Sequence, residues 1–181
     1  MGLCYTEIMA VSEQIKTATE TPSRKRWVIY GSIGITFGVF DYFFQQTVSQ
    51  HSSLIARVVV IYGIWLIPLI PIALHEARVS NSIVKSALAS ALTWSVAIVS
   101  YYFYMAVELI IIGKDSRPEL QFSNHQDPYY WSNIGQIFSG DVSGGIVEWI
   151  ALAVIGGGLI GFTIGFVYIR FIAPHLGKTE N

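Results

Sequence analysis

Charge and cysteine are both scarce in this chain of 181 residues. Charged side chains make up 13% of it, against about 25% in an ordinary soluble domain. Apolar residues reach 52%, and the mean hydropathy is +0.51. That balance excludes an ordinary soluble globular protein. It also excludes a disordered chain, which would be polar and rich in charge. Eleven Lys and Arg face twelve Asp and Glu, a formal net charge of −1. No basic field is present to recruit nucleic acid. Cys4 is the single cysteine. An intramolecular disulfide, a cysteine-based zinc site and a cysteine-ligated iron–sulfur cluster are therefore excluded.

Reaction motifs are missing as well. The chain has no HExxH, no G-x-S-x-G, no phosphate-binding loop and no dinucleotide fingerprint. Gly156, Gly157 and Gly158 sit inside an apolar run, so they do not cradle a phosphate. A membrane b-type haem would need two histidines facing each other at one depth. His51, His125 and His175 fall outside the apolar runs and His75 stands alone at its level. No cofactor is expected. His125, Asp127 and Glu119 share one loop, but three groups on a loop are a weak basis for a metal site, and none is assigned.

Long apolar runs are what the sequence does contain. A helix crossing about 30 Å of hydrocarbon needs about 20 mainly apolar residues. Four stretches qualify, at 27–46, 58–74, 87–113 and 146–173. The expected fold is all-α: a single integral membrane domain over residues 1–181, built as a four-transmembrane-helix bundle. Pro68 and Pro71 predict a kink in the second span.

Lys and Arg placement sets the expected orientation. Lys16, Arg24, Lys25, Arg26, Arg78, Lys85, Arg170 and Lys178 fall on one side of a four-span chain. Only Arg57, Lys114 and Arg117 fall on the other. By the positive-inside rule both termini are cytoplasmic, which suits the cytoplasmic membrane. Segment 1–26 is a cytoplasmic lead-in with a partial apolar stripe, suited to a helix on the inner surface. Its Gly2 and Cys4 fit a loose lipidation pattern. Segment 114–145 forms an outer loop, where Pro128 predicts a short helix to about Phe138. Tyr129, Tyr130 and Trp131 there are suited to the membrane boundary.

Helix faces follow from the turn of about 100° per residue. Gly31, Gly34, Gly38, Asp41 and Gln45 share one stripe of the first span. Gly157, Gly161 and Gly165 make two overlapping GxxxG pairs on the fourth. Such faces let backbones approach closely. Packing within one chain is favoured over pairing of two copies, although a homo-oligomer remains open. On the third span Ser86, Ser90, Thr93, Ala97, Tyr101, Tyr104 and Glu108 share a polar face. Ser95, on the other side, is expected to bond back to its own helix.

Asp41, Glu108 and Glu148 lie at similar depth near the outer side, with Arg57 at the entrance of the second span. A charge well inside a membrane helix costs about 2.5–3.5 kcal/mol on insertion scales and calls for a partner or a task. Arg57 pairing with Asp41 or Glu108 would fix helix register. Carboxylates beside Tyr101 and Tyr104 would equally suit a proton relay. Three readings follow. The first is a non-catalytic subunit or assembly partner of a larger membrane complex, with lipid and other membrane subunits as partners. The second is a proton- or cation-coupled transporter or channel component built on Asp41 and Glu108. The third is an outer-leaflet membrane enzyme.

Overall fold

The computed structural model describes residues 23–51, 53, 62–112 and 128–176. The described residues form helices and short turns, with no strand among them. Helix α1 spans Ser23–His51, α2 Leu66–Ser80 and α3 Ile83–Val107. After α3 the chain continues as a wider π turn, Glu108–Ile112. Helix α4, Tyr130–Ile137, occupies the place where Pro128 signals a short helix. A second π turn, Phe138–Val142, joins it to α5, Ser143–Val167. A third, Tyr168–Ile172, leads into α6, Ala173–Leu176.

Three helical runs are long and apolar enough to cross a membrane: Ser23–Gln45, Ile83–Val107 and Tyr130–His175. Helix α2 has 15 residues, or about 22 Å at 1.5 Å per residue. The first four residues of the second predicted span, 58–61, lie outside the described residues. So do most of the N-terminal segment and Arg57.

The prolines act at the start of α2. Pro68 lacks the N–H that would bond to the Ile64 carbonyl. Ile67 donates to that carbonyl instead at 3.1 Å, and the chain turns at Ile64–Trp65. Pro68 then sits in the first turn of α2, where a missing donor does little harm. Pro71 is held inside the helix.

The loop expected between the second and third spans is far shorter than its sequence suggests. Helix α2 runs on to Ser80 and α3 begins at Ile83. Asn81 takes a left-handed conformation, φ 47°, and its N–H bonds to the Ala77 carbonyl at 3.0 Å. Asparagine tolerates that conformation, so it can end the helix as glycine would. Ser82 caps α3 by accepting the Lys85 N–H at 3.4 Å. Two residues suffice for the reversal.

Helix α3 is the axis of the bundle, with α1, α2 and α5 packed around it. Its buried side includes Ser86, Ser90, Thr93, Ala97 and Tyr101, while Leu88, Leu92, Val99 and Phe103 are exposed. A Cβ on Gly34 would lie 2.6 Å from the Thr93 carbonyl oxygen, and one on Gly38 would strike the Ala97 carbonyl. Residue numbers rise together, so α1 and α3 run parallel. On the other side Gly157 meets Ser90 and Ala91, Gly161 meets Ser86 and Ala87, and Gly165 meets Ile83 and Ser86. Here the numbers run oppositely, so α5 is antiparallel to α3. Gly31 has nothing within 4 Å of a Cβ position. It sits about 60° from Gly34, at the stripe's edge, and is no part of the packing face.

Two serines of α3 tie the bundle across helices. The Ser86 hydroxyl lies 2.9 Å from both the Ala73 carbonyl of α2 and the Gly161 carbonyl of α5. The Ser100 hydroxyl donates to the Ile35 carbonyl of α1 at 2.9 Å. Ser95 differs from expectation: its buried hydroxyl oxygen has no hydrogen-bond partner among the described residues, rather than bonding back to its own helix.

Candidate functional site

Buried polar groups gather at both ends of α1. At its C-terminal end Asp41 is fully buried. Gln45, one turn on, donates its amide N–H to the Asp41 carboxylate at 2.7 Å. The Tyr101 hydroxyl of α3 donates to the Gln45 carbonyl oxygen at 3.4 Å. Tyrosine, glutamine and aspartate thus form a short directed chain across the α1–α3 interface. Beside it the Tyr42 hydroxyl donates to the Glu108 carboxylate. Glu108 opens the π turn after α3, is half-buried, and is bonded here by tyrosine.

The arrangement departs from the sequence expectation in three ways. Tyr101 reaches Asp41 through Gln45. Tyr42, which the sequence did not single out, binds Glu108, and the rings of Tyr101 and Tyr104 flank Tyr42, with centroids 5.4 and 5.1 Å away. Glu148 does not join the group, because it is exposed on α5. Five residues separate it from buried Ala153, a rotation of about 140° away from the glycine face. The expected pairing of Arg57, and the set His125, Asp127 and Glu119, lie outside the described residues.

A cleft of about 110 Å³ adjoins this end, lined by Gln45, Trp65, Ile98, Tyr101, Tyr102 and Trp149. It is wide enough for several waters.

The other end of α1 carries a group that the sequence reading passed over. Arg26 bonds Glu76 of α2 through Nε at 3.1 Å and a terminal nitrogen at 3.5 Å. Tyr30 donates its hydroxyl to the same carboxylate at 2.8 Å. Glu76 and Tyr30 are almost wholly buried and Arg26 nearly so. Two ionised groups withdrawn from water keep their charges only with such pairing and added hydrogen bonds. The signal was present in two spacings. Arg26 and Tyr30 are one turn apart on α1. Glu76 follows Ile72 and Ala73 at helical spacing, on the face that buries both. His75, beside Glu76, is exposed, with its ring set edge-on to Tyr30 at 6.3 Å.

Asp41→Asn is expected to change stability by less than about 1 kcal/mol, because the new amide oxygen still accepts from Gln45. Asp41→Leu should cost about 1–2 kcal/mol, because the partly buried Gln45 amide then loses its acceptor. Thermal unfolding in detergent separates the two. A loss for asparagine as large as that for leucine would show that charge, not an acceptor, is what this position needs.

No protein-family model, no curated protein and no solved structure matches this chain.

Proposed function

We propose that this chain is a four-span integral membrane protein with both termini cytoplasmic, serving as a non-catalytic subunit or assembly partner of a larger membrane complex. The four-span part draws support from helix direction. Helices α1 and α3 run parallel, so the chain between them must return to the end where it began, and α2 makes that return antiparallel to α3. The cytoplasmic termini rest on the distribution of Lys and Arg. Cysteines at Ser52 and Ser123, in a Cys4→Ser background, are expected to react with an impermeant thiol reagent added outside. One at Thr179 should not. Labelling of Thr179→Cys alone would reverse the orientation.

One observation carries the choice of a structural role over conduction. The two buried polar groups are separated by a stretch where Gly34 and Gly38 bring α1 onto the α3 backbone. Within that stretch the Ser100 hydroxyl is engaged by a backbone carbonyl of α1. Among the described residues the polar groups here tether helices to one another, α1 to α2 through Glu76 and α1 to α3 through Ser100. Gentle solubilisation of native membranes should recover the chain with stoichiometric membrane polypeptides. Elution of the chain by itself in every mild detergent would remove this reading.

The cleft beside Gln45 and Tyr101 favours a second reading, a proton- or cation-coupled component in which water reaches halfway to Asp41. Purified protein in liposomes would then carry a flux driven by a pH gradient, and Asp41→Asn would abolish it while leaving folding intact. Absence of flux from the folded wild-type protein would eliminate this reading.

A further inference from the structure

Helices α1 and α2 both pack on α3 but touch each other little. Near one end they are joined by Arg26, Tyr30 and Glu76. Further along, Phe37 meets Trp65, with ring centroids 5.1 Å apart. Between these two contacts a groove opens, lined by Ile29, Ile33, Pro68, Pro71 and Ile72, with Arg26 and His75 at its mouth. Its volume is about 430 Å³, within the range of small-molecule sites. The prolines explain the opening. Their rings are short and cannot reach across to α1, so the space between the helices stays unfilled. A second hollow shares Ile29 and Ile33 and continues along α1 to Phe40. From Arg26 to Phe40 is fourteen residues, about 21 Å of helix, longer than the roughly 15 Å half-thickness of a bilayer core.

The residues that neighbour the mouth in sequence add charge mostly of one sign. Arg24 and Lys25 precede Arg26 in the first turn of α1, and Arg78 follows His75 by one turn of α2. Arg24, Lys25 and Arg78 are exposed, and Glu76 is already bonded to Arg26. An apolar trough long enough for an acyl chain thus ends in a cationic rim. Basic pockets between transmembrane helices on the cytoplasmic side receive anionic lipid headgroups. We propose that the α1–α2 groove is a binding site for one anionic phospholipid of the cytoplasmic leaflet. An acyl chain lies along Ile29, Ile33, Pro68 and Pro71, and the phosphate is held at the rim by Lys25, Arg78 and His75. The leaflet assignment rests on the orientation given above, whereas the site itself does not.

The test uses the full-length protein in detergent, offered phosphatidylglycerol or phosphatidylcholine with identical chains, with retained lipid counted by native mass spectrometry. Phosphatidylglycerol should be retained at least tenfold over phosphatidylcholine. Ile33→Trp, which fills the trough from the exposed side of α1, should lower that retention at least fivefold while leaving the lipid-free melting temperature unchanged. Lys25→Gln combined with Arg78→Gln should bring the two lipids to near-equal retention. Equal retention by the wild-type protein would overturn the headgroup assignment. Unchanged phosphatidylglycerol retention in Ile33→Trp would overturn the location. Retention of neither lipid would overturn the proposal and leave a partner helix as the groove's occupant. None of these readouts depends on sidedness, so an error in membrane orientation would leave them intact.

Discussion

Gly161→Leu is expected to unfold the bundle in detergent under conditions where Ile160→Leu does not. A Cβ at Gly161 would lie 2.5 Å from the Ser86 carbonyl oxygen, 2.7 Å from the Ser90 hydroxyl and 2.8 Å from the Ala87 Cα. Two of those three atoms are backbone of the central helix and cannot swing aside. Overpacking a well-fitted interior costs about 1–3 kcal/mol and sometimes more. This substitution belongs at or beyond the upper end, because α5 must lift off α3 as a whole. Lifting it also breaks the bond from Ser86 to the Gly161 carbonyl. A volume-conserving exchange at half-buried Ile160 should cost less than about 1.5 kcal/mol. Gly158→Ala supplies the control, since nothing lies within 4 Å of its Cβ position. Alanine is the better helix former by roughly 0.5–1 kcal/mol, so that variant should be neutral or more stable. Equal melting temperatures for Gly161→Leu and Ile160→Leu would show that α5 does not pack as described.

The second large effect is expected at Arg26 and Glu76. Removing one member of a buried ion pair costs about 3–5 kcal/mol, because the other charge is left without compensation. Glu76→Leu should therefore be strongly destabilising. It takes the carboxylate away from the Arg26 guanidinium and removes the acceptor of the Tyr30 hydroxyl. The double variant Arg26→Met with Glu76→Leu should recover most of the loss, because apolar replacements of a buried pair are often neutral or stabilising. Tyr30→Phe should cost about 1 kcal/mol, a single hydrogen bond. Unfolding of these three variants and of Arg26→Met alone in one detergent reads the coupling directly. A double variant as unstable as the sum of its parts would mean that the two side chains act independently.

The helical pattern was legible because apolar periodicity is a local signal. The arithmetic of 100° per residue also separates the faces of α3. Ser86, Ser90, Thr93, Ala97 and Tyr101 are buried, and Leu88, Leu92, Val99 and Phe103 are exposed. What escaped was pairing between helices far apart in sequence. Arg26 and Glu76 are 50 residues apart, and Arg26 was read as a marker of orientation because three basic residues stand together there. Tyr42 escaped because it lies 100° round α1 from Asp41, off the stripe that carries the glycines. Its partnership with Glu108 depends on how α1 and α3 meet at their far ends, which no single-helix pattern contains. The Asn81–Ser82 reversal was legible in principle: asparagine before serine marks a helix end followed by a helix start. It was passed over because apolar length set the boundaries of the neighbouring spans.

The central place of α3 bears on the order in which the chain is made. The carboxylate of Asp41 finds its Gln45 partner within the same helix, one turn later. Arg26 and Glu76, by contrast, meet from 50 residues apart in sequence. At roughly 5–20 residues per second, synthesis takes about 3–10 seconds to supply Glu76. Until then α1 has neither its ion-pair partner nor the α3 surface onto which Gly34 and Gly38 close. The Asn81–Ser82 turn then delivers both missing surfaces together, as a hairpin of α2 and α3, so α1 docks in one event.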